Sequence, residues 1–409
     1  MIIDRCPGLV QGFFKPFKSA LSRKQYAHLW ALVLALAINL RRANVLALSQ
    51  LLPASGHRTS HGGFLGRSDW DAPALVEQAA WRLLADMKPQ PGEVVYLILD
   101  DTRMAKRGKK MDLLSKIWDH KDQKFVRGHV ALTGAVEFRG VVLPWRVTLW
   151  KPKKDAGREY CKLTDMAAEM IRDFPPPPGV KVRVLFDAFY LCPQVTKACE
   201  DKGFTFFSVA SKNRTFTRAG AKRQKIGRFA KGHLRHRGQA AQMKRAGSRR
   251  VLLRIGSCDG RLARIGQVRM VLSKRPHDRW RNLVAIVTNE TDLSAREIVV
   301  IYERRWSIEV LFKELKEQLG LGDYQVISQE AILKHLHLVC LAHLLLTHRA
   351  MEGLGEKARK ARAQVPLPTM KHRLEALRTD VKAEQIQRLF RRTKHARAFR
   401  KIKDFLLAA

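Results

Sequence analysis

The amino-acid sequence predicts an α/β protein built around a mixed β-sheet, with helical regions at both ends of the chain. Short apolar runs rich in β-branched and aromatic residues, such as EVVYLILDD and VKVRVLFDAFY, are typical of buried central strands. The predicted order is a strand, a hairpin and then strands that alternate with helical patterns. This order is typical of a mixed sheet with crossover helices.

The elements before the middle of the chain follow from apolar periodicity and from Pro and Gly positions. Residues 1–88 have helical periodicity, and the Pro- and Gly-containing stretch 89–92 ends that region. Within 93–210, the strands GHVALTGAVEF and VVLPWRVTLW are expected to form a hairpin that turns at Gly140. Helices are predicted around 158–174 and 192–202, each followed by a further strand.

The segment 211–282 differs in composition from the regions on either side of it. Residues 211–250 contain 14 Lys or Arg and no Asp or Glu. The stretch RVLLRIGSCDGRLARIGQVRMVL then predicts two strands around an Asp259-Gly260 turn. We therefore predict a basic, β-containing insertion. The alternative is a solvated, disordered arm.

The remaining chain is predicted to complete the core and then to become helical. The strand LVAIVTN begins the segment 283–325, and Ser294 with Glu297 forms a capping box for the helix that follows. Residues 326–409 are basic and predicted to be helical, with an interruption at VPLP.

The charge of the chain predicts a polyanionic partner. Lys and Arg number 77 and Asp and Glu 37, which gives a formal net charge of +40. Binding to phosphates is the simplest reason for such an excess, because it releases condensed counterions. We expect no membrane, since the apolar runs at 29–38 and 335–346 are too short to span one. Six cysteines without a C-x-x-C pair, and no recognisable signal peptide, predict a cytoplasmic protein.

Acidic residues stand at positions where active sites are often built. Asp100 and Asp101 end the first buried strand, Asp187 ends a later strand, and Glu309 lies on a predicted helix. Such carboxylates can hold divalent cations, and a pair of Mg²⁺ ions can activate a water or a 3′-hydroxyl. The alternative for any single Asp is a turn or helix cap.

The helix YERRWSIEVLFKELKEQLG combines four polar side chains on one face. At about 100° per residue, Tyr302, Arg305, Glu309 and Lys316 fall within about 60° of one another. Apolar residues border this stripe and are expected to pack inward. The stripe predicts either half of an active site or an ion pair between Arg305 and Glu309 on a solvated face.

These motifs resemble those of the DDE transposases of bacterial insertion sequences, in the branch with the signature Y-(2)-R-(3)-E-(6)-K. The stripe has this spacing, LDDTRM resembles the family's first Asp motif, and FDAFY resembles its second. The resemblance covers roughly residues 93–325. It implies an RNase H-like catalytic core, in two parts at 93–210 and 283–325, and cut-and-paste DNA transposition.

The resemblance also implies roles for individual residues. Asp100, Asp187 and Glu309 would bind two Mg²⁺, for which Mn²⁺ substitutes. Tyr302 and the two basic residues of the stripe, Arg305 and Lys316, would contact DNA phosphates near the transposon end. The implied partners are double-stranded DNA, namely terminal inverted repeats and target DNA, and a second copy of the chain in a homodimer on DNA.

Further DNA contacts are expected from the insertion. Trp280 is a candidate for stacking on an extruded base, and the alternative is a Trp packed within the insertion's own core. The helical region 1–88 is also expected to bind DNA. The basic residues of the insertion predicted to contact phosphates are Arg223, Lys225, Arg228, Lys231, Arg235 and Arg237.

The choice between the two adjacent acids depends on strand geometry. Neighbouring side chains on a strand point to opposite faces, so only one of Asp100 and Asp101 is expected to be a ligand. The family pattern, an Asp with Ser, Thr or Gly two positions on, selects Asp100 with Thr102. Asp101 is the alternative first ligand.

Two other functions compete with transposition. A catalytically inactive or domesticated sequence-specific DNA-binding protein would keep the basic charge, but it need not keep all three acids and the stripe. A nuclease that only hydrolyses DNA would use the same metals.

Overall fold

The computed structural model describes residues 5–40, 42–52, 57–119, 123–244, 250–354 and 364–392. The helices predicted for both ends of the chain are present in these residues, whereas 1–4, 355–363 and 393–409 lie outside them. The N-terminal helices are α1 (Gly8–Phe14), α2 (Arg23–Ile38), α3 (Val45–Gln50), α4 (Arg58–Gly66) and α5 (Ala72–Asp86). The C-terminal helices are α12 (Gln329–Gly353) and α13 (Met370–Arg392).

The middle of the chain forms one continuous β-sheet crossed by further helices. Its first strands are β1 (Val94–Ala105), β2 (Ser115–Asp119), β3 (Lys124–Phe138), β4 (Val141–Leu149), β5 (Lys181–Phe186) and β6 (Thr205–Val209). The later strands are β7 (Thr215–Thr217), β8 (Gln224–Lys225), β9 (Gln239–Lys244), β10 (Arg250–Leu262), β11 (Gly266–Lys274) and β12 (Val284–Thr288). The helices between them are α6 (Lys153–Ala156), α7 (Leu163–Asp173), α8 (Pro193–Asp201) and α9 (Ile226–Arg237). Helices α10 (Ala295–Glu303) and α11 (Trp306–Lys313) follow the last strand.

The order of the strands confirms the predicted fold class. In the described residues the order is β2-β3-β1-β5-β6-β12-β11-β10-β7-β8, with β4 on β3 and β9 on β10. Within it, β4, β3 and β1 are antiparallel neighbours, and β1, β5 and β6 are parallel neighbours. This is a mixed sheet of the RNase H-like kind. The strands of segment 211–282 extend the same sheet, because β11 pairs with β12.

The helical regions cover the sheet through α12, a long apolar helix. By length and composition it is the one helix among the described residues that could cross a membrane, but 89% of its apolar window is buried inside the protein. It packs against α2, α5 and β4. Helix α12 is therefore a core helix, and its contacts join the two ends of the chain to the sheet. Burial of each of its large apolar side chains contributes about 1.5–3 kcal/mol to stability.

The hairpin predicted at Gly140 is confirmed. Strands β3 and β4 pair up to Phe138 opposite Val141, which leaves a two-residue loop of Arg139 and Gly140. Both loop residues have positive φ, 49° and 85°. This is the backbone of the tight hairpin turn whose twist matches that of the flanking strands.

The turn predicted at Asp259-Gly260 is wrong. Both residues lie inside β10, opposite Arg269 and Val268 of β11, and the chain reverses after Leu262. A Cβ at Gly260 would come within 2.5 Å of the Phe216 ring, so this glycine permits the close approach of β7. The Asp-Gly pair therefore marks a tight strand contact and not a turn.

Candidate active site

Two of the predicted acids reach the same level of the sheet because β1 and β5 are parallel neighbours. The last registered pair of these strands is Ile98 with Leu185, and Asp100 and Asp187 each follow two residues later. Asp187 stands where β5 ends, and its Oδ1 accepts hydrogen bonds from the backbone N–H of Phe189 at 2.8 Å and of Tyr190 at 3.4 Å. It is therefore a turn cap as well as a candidate ligand.

Strand alternation separates Asp100 from Asp101. Asp100 Oδ2 accepts a hydrogen bond from Arg305 Nη1 at 3.0 Å, on the face of the sheet where α11 packs. Asp101 Oδ1 accepts from the hydroxyl of the buried Tyr190 at 2.9 Å. Arg103 Nε also lies 3.9 Å from Asp101 Oδ2. The two carboxylates thus have different partners.

The four stripe residues do not lie on one continuous α-helix, contrary to the prediction. Tyr302 is on α10, Glu309 is on α11, and Arg305 lies in the turn between these helices. The backbone N–H groups of Arg304 and Arg305 bond to carbonyls three residues back, which tightens the chain at this point. Lys316 follows in a π-helical turn, Glu314–Gln318, where its side chain is exposed.

Arg305 nevertheless joins two of the predicted acids. Its guanidinium binds Asp100 through Nη1 and Glu309 through Nη2. The side chains of Arg305 and Asp100 are each 16% exposed, and that of Glu309 is 34% exposed. The predicted i,i+4 ion pair is therefore present, but it faces Asp100 at the sheet and not a solvated surface.

Burial shifts the protonation of this cluster. It raises the pKa of Asp100 to about 7, although the Arg305 guanidinium acts in the opposite direction. The neighbouring carboxylates of Asp187 and Asp101 raise it further. Burial also raises the pKa of Asp101, and it raises the pKa of Tyr302 to about 12. Negative charge has thus been gathered at a site with little water to solvate it.

The Tyr302 hydroxyl lies beside the second strand end. It is 3.5 Å from the backbone carbonyl oxygen of Phe186, the residue before Asp187. A donor–acceptor distance of this length makes a weak hydrogen bond, so a stronger acceptor can recruit the hydroxyl.

The six basic residues of the insertion that are predicted to contact DNA are all exposed. Helix α9 buries Ile226, Ala230 and other apolar residues on one side. The residues Arg228, Lys231 and Arg235, spaced three and four apart, form its opposite face. Arg223 and Lys225 precede this helix and Arg237 ends it. We call these six residues the α9 ridge.

Trp280 lies next to this ridge and is half-buried. The guanidinium carbon of Arg235 is 6.0 Å from the centroid of its ring, and Lys274 Nζ is 5.3 Å from it. The ring also packs against the hydrophobic core.

Two residues that hold an acid or the turn before α11 were not predicted from the sequence. Tyr190, the last residue of FDAFY, supports Asp101, and its aromatic character after an Asp was the available signal. Glu137 on β3 is 2% exposed and accepts hydrogen bonds from Arg304 Nη1 at 2.9 and 3.1 Å. Nothing in the local pattern distinguishes this Glu from a surface residue.

A mixed sheet of this order, with Asp100 and Asp187 following two adjacent parallel strands and Glu309 on a helix packed beside them, is an RNase H-like architecture. Residues 97–345, more than half of the chain, match the family model of the transposase DDE domain. The chain belongs to this family, and the protein is a DNA-cleaving transposase. A search of curated proteins finds no match.

Proposed function

We propose that Asp100, Asp187 and Glu309 are the catalytic carboxylates of cut-and-paste transposition. The observation that supports this most is where the fold places them. Asp100 and Asp187 follow the same register pair of two parallel strands, and Arg305 joins Glu309 to Asp100. An all-oxygen donor set of this kind suits Mg²⁺ or Mn²⁺.

The charge distribution at the site supports a divalent cofactor, which members of this family normally use. Among the described residues, no three His, Cys, Asp or Glu side chains are gathered as a ready cation site. Instead, the Arg305 guanidinium bridges Asp100 and Glu309 as a stand-in cation. When bound, two Mg²⁺ ions would supply an activated water or 3′-hydroxyl and would stabilise the leaving oxygen.

Arg305 connects DNA binding to this arrangement. A DNA phosphate competes with the two carboxylates for the guanidinium, because arginine forms paired hydrogen bonds with either group. Arg305 bound to a phosphate leaves Asp100 and Glu309 to a metal. The Tyr302 hydroxyl and the exposed ammonium of Lys316 then add phosphate contacts. This division of roles is that of the Y-(2)-R-(3)-E-(6)-K branch, to which we assign the chain.

The α9 ridge extends the proposed contact surface away from the carboxylates. Its exposed guanidinium and ammonium groups suit the backbone of the element's terminal inverted repeats. Trp280 is proposed as the stacking platform for a base near the cut. We further propose that the protein acts in the bacterial cytoplasm as a homodimer on DNA, with one active site for each transposon end.

The test is single-turnover cleavage of a duplex that contains an end of the element. Glu309→Gln removes a ligand and keeps the shape, so cleavage should be lost while end binding stays within about twofold. Glu317→Gln, an exposed acid a few residues further on, is the control and should cleave normally. The parent should be inactive in excess chelator and recover with Mg²⁺ or Mn²⁺. Full activity in chelator would refute the metal-dependent mechanism.

The same assay separates the competing assignments. Asp100→Ala should be inactive and Asp101→Ala should keep measurable cleavage, whereas the reverse result would move the first ligand by one residue. A parent protein that binds ends but never cleaves would indicate a decayed, DNA-binding copy. Cleavage without joining of the ends to a target would indicate a nuclease.

A further inference from the structure

A second basic surface lies on the side of the carboxylates away from the α9 ridge. Residues 103–127 contain nine Lys or Arg and three Asp. They include the end of β1, all of β2 and the start of β3. We define the β2–β3 surface by four exposed basic residues of this stretch, Lys109, Lys110, Lys116 and Arg127.

An exposed aromatic residue lies among these charges. Phe125 of β3 is 58% exposed and packs edge-on against Trp118 of β2, with ring centroids 4.9 Å apart. Lys116 Nζ lies 4.6 Å from the centroid of the Phe125 ring. An apolar ring of this size, surrounded by cations, is suited to contact the bases or sugars of a nucleic acid.

The strand register gives the distance from this surface to Asp100, the proposed first ligand. Asp100 pairs with Thr133 of β3, and Phe125 lies eight residues back along the same strand. At about 3.3 Å per residue, Phe125 and Thr133 are about 26 Å apart along β3, which is the length of roughly eight base pairs of DNA. Arg103 spans part of this distance, because it donates to the Trp118 carbonyl at 3.2 Å and lies beside Asp101.

The order of the sheet sets the two basic surfaces apart. The strands β2 and β3 lie on one side of β1 and β5, and the strands that carry the α9 ridge lie at the other end of the sheet. Strand transfer brings two duplexes to one set of carboxylates, the element end and the target. One basic surface on each side matches this requirement.

We propose that the β2–β3 surface binds target DNA. This inference rests on the proposed function, in which the α9 ridge takes the element end. Contacts from long Lys and Arg side chains to phosphates carry no sequence information, so they suit a duplex that is held without reading its bases. In the described residues, the chain between β1 and β3 contains no helix that could read a major groove.

The competing explanation is a solvated edge. Lys residues on an exposed hairpin also prevent strands from pairing between molecules. This explanation predicts that the charges can be removed without effect on any DNA reaction.

The experiment uses a variant in which the four basic residues of the surface are replaced by Gln. The control variant replaces four exposed basic residues elsewhere, Lys153, Lys154, Arg158 and Lys202. Each protein is tested in three reactions: binding of an end duplex, cleavage of an end that carries flanking DNA, and joining of pre-cleaved ends to a plasmid without end sequences. The parent first has to show metal-dependent cleavage, since its absence is a failure of the proposed function and not of this inference.

The β2–β3 variant should join pre-cleaved ends at least about tenfold more slowly. The slope of log rate against log salt should become shallower by about 3 to 4, because each of the four lost phosphate contacts accounts for about 0.9 of that slope. End binding and cleavage should stay within about twofold, as should all reactions of the control. Phe125→Ser, which changes no charge, should slow joining several-fold.

Three results would overturn the proposal. Unchanged joining would assign the charges to the solvated edge. A loss of cleavage on flanked ends, with normal joining of pre-cleaved ends, would assign the surface to flanking DNA. An equal loss in all three reactions would show that the surface does not distinguish target DNA from the element end.

Discussion

Asp100→Asn should make the metal-free protein more stable, although it should remove cleavage. The pKa of the Asp100 carboxyl is raised from 3.8 to about 7, mainly by burial. A raised pKa means that the charged form is disfavoured in the folded state, so stability is lost as pH rises from the unfolded value to the folded one. An Asn at this position has no charge to bury.

The size of the effect follows from the difference between the two pKa values. At about 1.4 kcal/mol for each pKa unit, the ionised carboxylate costs at most about 4 kcal/mol above pH 7. At pH 5 the unfolded chain is ionised and the folded one is not, and the cost is about 2 kcal/mol. Below pH 3.8 both states are protonated and the difference vanishes.

The assay is urea unfolding in chelator, followed by tryptophan fluorescence at pH 5 and pH 8. The gain in the free energy of unfolding for Asp100→Asn should be larger at pH 8 than at pH 5. Asp201→Asn is the control, because that carboxylate is 47% exposed and pairs with Lys197 on the surface. Its effect should be small at both pH values. An Asp100→Asn protein no more stable than the parent at pH 8 would refute the argument.

Three further substitutions test the packing that positions the site. Gly260→Ala should destabilise by about 1–3 kcal/mol in urea unfolding, because its Cβ would meet the Phe216 ring at 2.5 Å. Gly232→Ala, in α9 with nothing within 4 Å of the new Cβ, should instead stabilise by about 0.5–1 kcal/mol; equal effects at the two glycines would contradict the packing. Glu137→Gln should reduce the free energy of unfolding by about 1.5–3 kcal/mol, and so lower the melting temperature, because it removes the charge that holds the Arg304 guanidinium. An unchanged melting temperature would show that this ion pair contributes nothing.

The sequence allowed the sheet to be predicted more closely than its turns. The strand that ends at Asp100 and the hairpin at Gly140 have strong local signals, namely continuous apolar runs and a glycine between them. The Asp259-Gly260 pair carries the same signal as a turn, and yet its glycine serves the approach of another strand. A local pattern cannot report that approach, because β7 comes from more than 40 residues earlier in the chain.

The candidate site was predicted in its members and not in its contacts. Spacing placed Arg305 and Glu309 on one face, and the structure retains that relation through an i,i+4 ion pair. The spacing did not predict the tight turn between α10 and α11, because the residues around Arg305 are all tolerated within a helix. It also could not predict the bridge to Asp100, since that contact depends on how α11 packs on the sheet.

The two neighbouring acids of β1 show what partners add to spacing. Asp101 is held by the hydroxyl of Tyr190, which is fully buried between the strand ends and out of reach of a phosphate. Asp100 is held by Arg305, whose guanidinium binds a phosphate as readily as a carboxylate. In the proposed mechanism a DNA phosphate takes Arg305 from Asp100, whereas the Tyr190 hydroxyl stays on Asp101. Burial raises the pKa of both acids. Asp100 accepts a hydrogen bond from a guanidinium at 3.0 Å, whereas Arg103 lies 3.9 Å from Asp101, so in the proposed mechanism Asp100 is the acid that a phosphate-bound arginine leaves to a cation.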